Sequence, residues 1–207
     1  VAGGNGKYLV PSSSSPLISS WTQRVFSDGS WASGPSGYGF GLTIPGITVR
    51  QISKNTALGP LNGLTEAIDL STAPTSDPRI LSSTSQLMPT LNLLGDGAEG
   101  NYEFNRIPPG NGGDDYLIVA TGTLTIPTAG IYTFGTNSDD GSRLRIGSTV
   151  VIYDDSYHGP EDRFGSVSLT AGQHPFEVIM FEGGGGDSVE FFAAPGTLTS
   201  FNPAVFR

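Results

Sequence analysis

The chain of 207 residues contains no cysteine, which excludes disulfide bonds, thiolate metal sites and cysteine nucleophiles. It has only two histidines, His158 and His174, and their spacing is not that of a zinc site. The sequence also lacks the GxSxG, HExxH and glycine-rich phosphate-binding motifs. A glycosidase needs two carboxylates that face each other across a sugar, which adjacent acidic residues do not provide. We therefore expect a protein that is not an enzyme.

Basic residues are scarce too: 10 Lys and Arg stand against 19 Asp and Glu, which gives a net charge of -9 at pH 7. Such a chain does not neutralise phosphates, so we expect no nucleic-acid partner, whereas the negative charge suits divalent cations. No apolar run approaches the length of a membrane span, and we expect no membrane insertion. The absence of cysteine fits an exported protein, so we expect an extracellular or cell-surface location, and the abrupt end at NPAVFR favours neighbouring domains in a longer chain.

Glycine and proline are abundant, with 30 and 15 residues, and they are typical of short strands joined by many turns. Alternating apolar residues predict strands over 47–52, 116–126, 130–137, 142–153, 165–170, 174–182 and 188–194, and one or two more within 76–104. Residues 61–70 are predicted to form a short helix. Closely spaced strands of this kind favour an all-β antiparallel sandwich or barrel.

The first 44 residues differ from the rest of the chain. Residues 3–20 are rich in glycine, serine and proline, as in a linker. The following stretch has five aromatic residues, Trp21, Phe26, Trp31, Tyr38 and Phe40. Because such side chains seldom stay solvated, we expect residues 1–44 to form a linker and an aromatic arm that packs on a β-sandwich domain, residues 45–207.

Two loops carry the candidate chemistry. In TNSDDGSRL (136–144), Asp139 and Asp140 are adjacent, and the pattern is compatible with a tight hairpin turn. The second loop, within FEGGGGDSVEFF (181–192), has four consecutive glycines, a poor choice for a simple hairpin, followed by Asp187. Calcium prefers six to eight carboxylate and carbonyl oxygens, which two loops at one end of a sandwich can supply. The alternatives are therefore a turn and a calcium site.

The segments GTLTIPTAGIYTFGTNSDDGSRLRI and GSVSLTAGQHPFEVIMFEGGGGDSVEFFAAPG resemble the protective-antigen-type (PA-fourteen) domain. This family is a β-sandwich module of yeast flocculation adhesins and bacterial surface proteins, and the resemblance covers roughly residues 46–198. It implies that Asp139 and Asp140, joined by a cis peptide, hold a calcium ion. It further implies that the later loop, Gly184, Gly185, Gly186 and Asp187, contributes carbonyls and a side chain, and that sugar hydroxyls complete the shell.

The function implied by the resemblance is calcium-dependent, lectin-like binding of cell-surface glycans or polysaccharide in an adhesin or other secreted protein. The alternative is a structural or protein-interaction module of a larger surface or filament protein, in which residues 21–40 carry the binding surface. The roles of two further acidic pairs stay open. Asp114–Asp115 is either a turn or a second cation site, and Asp154–Asp155, near His158, is either a solvated loop or a metal site.

Overall fold

A computed structural model of the chain describes residues 5–8, 32–35, 46–95, 100–101, 105–106 and 113–206. The chain divides into two compact units, Val1–Gly39 and Phe40–Arg207. In the first unit, strand β1 (Asn5–Tyr8) pairs antiparallel with strand β2 (Ala32–Pro35). The aromatic residues of the predicted arm lie outside the described residues, so their packing on the second unit stays a prediction.

The second unit is a β-sandwich. Its strands are β3 (Ile47–Lys54), β4 (Ile80–Met88), β5 (Asn92–Leu94), β6 (Asn105–Arg106), β7 (Tyr116–Ile126), β8 (Gly130–Asp139), β9 (Ser142–Ile146), β10 (Thr149–Tyr153), β11 (Glu161–Leu169), β12 (Gly172–Glu182) and β13 (Ser188–Pro195). One sheet has the order β10-β9-β12-β7-β3-β4 and the other β11-β8-β13-β5-β6. Neighbouring strands are antiparallel apart from β5 and β6, so the predicted antiparallel sandwich is confirmed.

The main core lies between the two sheets. Strand β12 contributes Phe176, Val178 and Met180 at alternate positions, and strand β8 contributes Tyr132 and Phe134 from the other sheet. All five are at most 5 % exposed, and burial of each stabilises the fold by about 1.5–3 kcal/mol. Successive side chains of each strand point alternately into this core and toward the outer face of the sheet, which explains the period of two in the sequence.

Helix α1 (Gly63–Thr72) covers the outer face of the six-stranded sheet. Its Leu64, Ala67 and Leu70 are fully buried in a second core cluster that contains the outward-facing Ile179 and Phe181 of β12. The predicted helix, 61–70, is confirmed with a shift of two residues. A short 3₁₀ helix (Thr56–Leu58) precedes it. No helix in the described part of the chain is both long and apolar enough to span a membrane.

The cap of α1 comes from a distant loop. Asn62, at the N-cap position, makes no side-chain capping bond. Instead the Leu64 N–H donates to Asp155 Oδ1 (2.6 Å), and Thr65 Oγ1 lies 3.3 Å from Asp155 Oδ2. The loop 154–160, between β10 and β11, is thereby tied to the first turn of the helix.

One predicted strand is divided in two. The sequence predicts a continuous strand over 142–153, whereas the structure has β9 and β10 joined by a turn at Gly147, whose φ is +57°. Glycine adopts this left-handed conformation without the steric cost of a Cβ. Because the turn is only two residues long, the apolar alternation on either side reads as one strand.

Candidate functional site

Both candidate loops pass from one sheet to the other at the same end of the sandwich. Strand β8 of the five-stranded sheet leads through Asp140 to β9, which pairs with β10 and β12 of the six-stranded sheet. The hairpin interpretation of residues 136–144 is therefore wrong. Residues 183–187 make the return crossing from β12 to β13, and Ser188 is paired with Asp139.

The peptide bond between Asp139 and Asp140 is cis, as the resemblance implies. Both residues are buried, at 6 % and 4 % exposure. Backbone donors from two other loops hold the Asp140 carboxylate: the His158 N–H donates to Oδ1 (2.8 Å) and the Gly183 N–H to Oδ2 (3.0 Å). The Asp140 N–H donates to Phe181 O (3.1 Å). The aspartate pair is thus fixed against the loop 154–160 and against residues 183–187, the glycine loop.

Glu182 is a third acidic residue of this cluster. Carboxylate oxygens of Asp139, Asp140 and Glu182 lie within 4.8 Å of one another. The Glu182 side chain is fully buried; Oε1 accepts the Gly184 N–H (2.6 Å), whereas Oε2 has no hydrogen-bond partner within the described part of the chain. Sequence reasoning missed Glu182, although its position gave a signal. It continues the inward-facing series of β12 and directly precedes the glycines.

Asp187, which the resemblance implies as a ligand, is 5 % exposed and adds a fourth carboxylate at this end of the sandwich. The Tyr116 hydroxyl donates to Asp187 Oδ2 (2.8 Å), and the Gly95 N–H donates to Asp187 O (2.8 Å). A methyl group built on Gly95 would lie only 1.1 Å from Asp187 Oδ1. The aspartate side chain therefore occupies space that exists because residue 95 has no side chain.

The glycine loop forms the outer part of the site. Gly184 and Gly185 are exposed and have φ of +155° and +118°, and Gly186 is half-buried. A side chain at Gly185 would meet nothing within 4 Å. The Asp114 carboxyl carbon lies 3.6 Å from where a Cβ of Gly184 would be, so a further exposed acidic group adjoins the loop.

Burial and mutual repulsion change the acidity of the cluster. Burial, then the neighbouring Asp140 carboxylate, raises the pKa of Asp139 to about 6 against a smaller opposing effect of His158. The same two causes raise the pKa of Glu182 to about 9. Burial, followed by the Asp187 carboxylate, raises the pKa of Tyr116. With a pKa of about 9, Glu182 keeps its proton at neutral pH, whereas Asp139 with a pKa of about 6 is mostly ionised there. A set of oxygen donors with so little positive charge nearby is the chemistry that a hard divalent cation prefers.

Asp115 and Asp154, from the two further acidic pairs, make structural contacts. Asp115, at φ +59°, accepts the Leu61 N–H through Oδ1 (2.6 Å), in agreement with the turn interpretation. Asp154 accepts from Arg163 Nε (2.5 Å) and lies 3.1 Å from His158 Nε2. Although burial opposes the change, hydrogen bonds from Ser156 and Arg163 lower the pKa of Asp154. Within the described residues, Asp139, Asp140 and Glu182 form the group of metal-ligating side chains that lie close enough to share an ion.

A family model, described as the PA14 domain, matches residues 97–202, just over half of the chain. The chain belongs to the PA14 domain family. The resemblance to the protective-antigen-type domain is therefore confirmed. No curated protein matches the chain.

Solved structures share the PA14 fold at low sequence identity. A PA14 sugar-binding domain from an RTX adhesin is 17 % identical with a TM-score of 0.54, over 74 % of this chain and 91 % of the adhesin domain. The epithelial adhesin 9 A domain from Candida glabrata, in complex with Galβ1-4GlcNAc, is 12 % identical with a TM-score of 0.50, over 80 % and 88 %. An anti-sigma factor domain-containing protein is 15 % identical with a TM-score of 0.53 over 72 % of this chain, which spans only 43 % of that protein.

Proposed function

We propose that this PA14 domain is a calcium-dependent carbohydrate-binding module, without catalytic activity of its own, in a cell-surface or secreted protein. The observation that supports it most directly is the convergence of four buried carboxylates at one end of the sandwich. Asp139 and Asp140 lie at the first crossing and Glu182 and Asp187 at the second, and the bond from the Gly183 N–H to Asp140, 43 residues away in the chain, ties the two crossings together.

The residues present fit a calcium ion. Asp139 and Asp140 would hold it from the first loop, and the Gly185 and Gly186 carbonyls with the Asp187 carboxylate from the second. Glu182 would add a further negative charge once a bound cation displaced its proton, and its buried Oε2 has no hydrogen-bond partner among the described residues. A bound divalent cation would offset the repulsion among these carboxylates, because it is the opposite charge that they otherwise lack.

Carbohydrate is the ligand class that suits such a centre. Bound calcium supplies coordination positions for two adjacent sugar hydroxyls, which are neutral oxygen donors of suitable hardness. The exposed glycines Gly184 and Gly185 carry no side chain that would obstruct the approach of a sugar ring. A structure of similar fold is a sugar-binding domain of an adhesin, and another holds Galβ1-4GlcNAc, which supports the same ligand class and a location outside the cell.

The experiment that tests this proposal combines titration calorimetry with a glycan array. We expect the wild type to bind calcium and to bind glycans in calcium but not in excess chelator. Asp140→Asn should lose both activities because it removes one carboxylate charge from the centre. Glu161→Gln, at an exposed acid that pairs with Arg163, is the matched control and should keep both.

Two results would overturn the proposal: glycan binding that persists in chelator, or failure to bind a cation at saturating calcium. Calcium binding without any glycan binding would instead favour the alternative, a structural or protein-interaction module. In that case the carboxylate cluster would serve to stabilise the end of the sandwich.

A further inference from the structure

Tyr157 presents an exposed aromatic ring beside the acidic cluster. It lies in the loop 154–160 and is 58 % exposed. Its ring packs edge-to-face with Phe181, with centroids 5.1 Å apart and an interplanar angle of 84°. Its hydroxyl donates to Leu61 O (3.2 Å). The ring is therefore held at two points, whereas much of its surface faces solvent.

The ring and the Asp140 carboxylate flank the same glycine. A Cβ built on Gly183 would lie 2.6 Å from Tyr157 Cε1 and 3.5 Å from Asp140 Oδ2. Since Gly183 has no side chain, nothing of that residue separates the ring from the carboxylate. The next residue, His158, donates its N–H to Asp140 Oδ1 (2.8 Å), so the loop that carries the ring is fixed to the cluster.

We infer that Tyr157 is the apolar wall of the carbohydrate site, against which the C–H face of a pyranose packs while its hydroxyls bind the cation. This inference rests on the proposed function and names the ligand class more narrowly. A cation alone binds any compound with two adjacent hydroxyls, including an open-chain polyol. The wall selects ring sugars, because only a closed ring offers a rigid, continuous C–H surface.

The physical basis is burial of apolar surface at low entropic cost. Tyrosine provides a large flat contact area with few rotatable bonds. Because Phe181 and Leu61 already hold this ring, little side-chain freedom remains to be lost when a ligand binds. We therefore expect the ring to change the affinity for a pyranoside by several-fold to about tenfold.

The test uses methyl galactoside, methyl glucoside, methyl mannoside and mannitol as probes in saturating calcium, with calorimetry as the readout. The wild type should bind at least one pyranoside more tightly than mannitol. Tyr157→Ala should weaken that pyranoside about tenfold, remove its advantage over mannitol and leave calcium affinity unchanged. Tyr157→Phe, which keeps the ring, should retain the pyranoside affinity.

Two controls separate recognition from folding. Tyr157→Leu keeps an apolar contact for Phe181 without a flat ring, so it should melt near the wild-type temperature and still bind pyranosides weakly. Tyr153→Ala removes a tyrosine of similar exposure, 55 %, and should change neither affinity. Saturation-transfer NMR should show contact between sugar C–H protons and the wild-type protein that Tyr157→Leu weakens.

Equal pyranoside binding by wild type, Tyr157→Ala and Tyr157→Leu would overturn this inference and leave the proposed function standing. If the wild type binds no pyranoside while it binds calcium, both fail together. If mannitol binds as tightly as every pyranoside, the cation binds diols without the wall, and only the inference fails.

Discussion

Glu182 and Asp139 are carboxylic acids whose pKa values are raised by burial and by the neighbouring Asp140, to about 9 and about 6. An acid with a raised pKa binds its proton more tightly in the folded protein than in the unfolded chain. Its contribution to the free energy of unfolding is therefore greatest below the unfolded-state pKa, and it declines as pH rises to the folded-state pKa. Without calcium, this end of the sandwich should be less stable in alkaline than in acidic solution.

We predict that Glu182→Gln flattens the pH dependence of stability in calcium-free protein. The decline due to Asp139 should lie between about pH 4 and 6, and that due to Glu182 between about pH 4.5 and 9. Since glutamine does not titrate, the variant should be more stable than wild type at pH 8 in chelator. Urea unfolding at pH 5 to 9 measures this, and Glu161→Gln should keep the wild-type slope above pH 5. A variant with an unaltered slope would show that Glu182 is ionised in the folded protein.

At the scale of secondary structure, the sequence predicts most strands because burial alternates along them. Strand β7 is predicted at its observed bounds, 116–126, since polar and glycine residues stop the pattern at both ends. The pattern does not reveal partners, which is why the crossing at Asp140 reads as a hairpin although β9 lies in the other sheet. The sequence pattern does not predict the cap of α1 either, because Asp155 is 91 residues from Leu64 in the chain.

Some residues of the site were predicted from the sequence, and others were found only in the structure. Family motifs place Asp139, Asp140 and Asp187 in it, and the structure brings these three carboxylates to one end of the sandwich. Glu182 and Tyr157 were not identified, since a strand residue and a loop residue acquire their roles only from the packing of several elements. No local signal in the sequence shows that Tyr157 lies beside Gly183.

Asp155→Ala should destabilise the protein by removing the cap of α1. Loss of an N-terminal capping side chain costs about 0.5–2 kcal/mol, and we expect about 1 kcal/mol here. Asp155→Asn keeps an acceptor oxygen and should retain most of the stability. Urea unfolding of the three proteins provides the comparison. If the alanine variant is as stable as wild type, the bond between Asp155 and the Leu64 N–H does not contribute to folding.

Gly95→Ala should disrupt the metal centre through Asp187. The added methyl group would overlap Asp187 Oδ1, so either that side chain or the backbone bond from Gly95 to Asp187 must move. We expect calcium affinity to fall at least about tenfold, since one misplaced carboxylate removes a ligand of the ion. Gly130→Ala is the matched control because a methyl group there meets nothing within 4 Å. Equal calcium affinity in both variants, measured by calorimetry, would show that Asp187 is not a ligand of the calcium ion.

At the scale of the whole molecule, the site depends on assembly of the sandwich. Its carboxylates lie at two connections that run between the sheets in opposite directions, and one of its backbone donors, the His158 N–H, comes from a third loop. A cation bound there would join both sheets at one end and would be absent from the unfolded chain. Because the cation would bind only the native state, its binding free energy would add to the free energy of unfolding of the entire domain.

Calcium should raise the melting temperature of the whole second unit. A ligand at 100 times its Kd adds about 2.7 kcal/mol, and a domain of this size gains about 2–4 °C per kcal/mol, so the expected increase is about 5–10 °C. Magnesium should have a smaller effect, because it gives up its water reluctantly and demands octahedral geometry. Differential scanning calorimetry in calcium, magnesium and chelator measures the three states, with Asp140→Asn as the variant that should not respond. Identical melting of the wild type in calcium and in chelator would mean that the carboxylates at this end of the sandwich do not hold calcium, and carbohydrate binding would then need another basis.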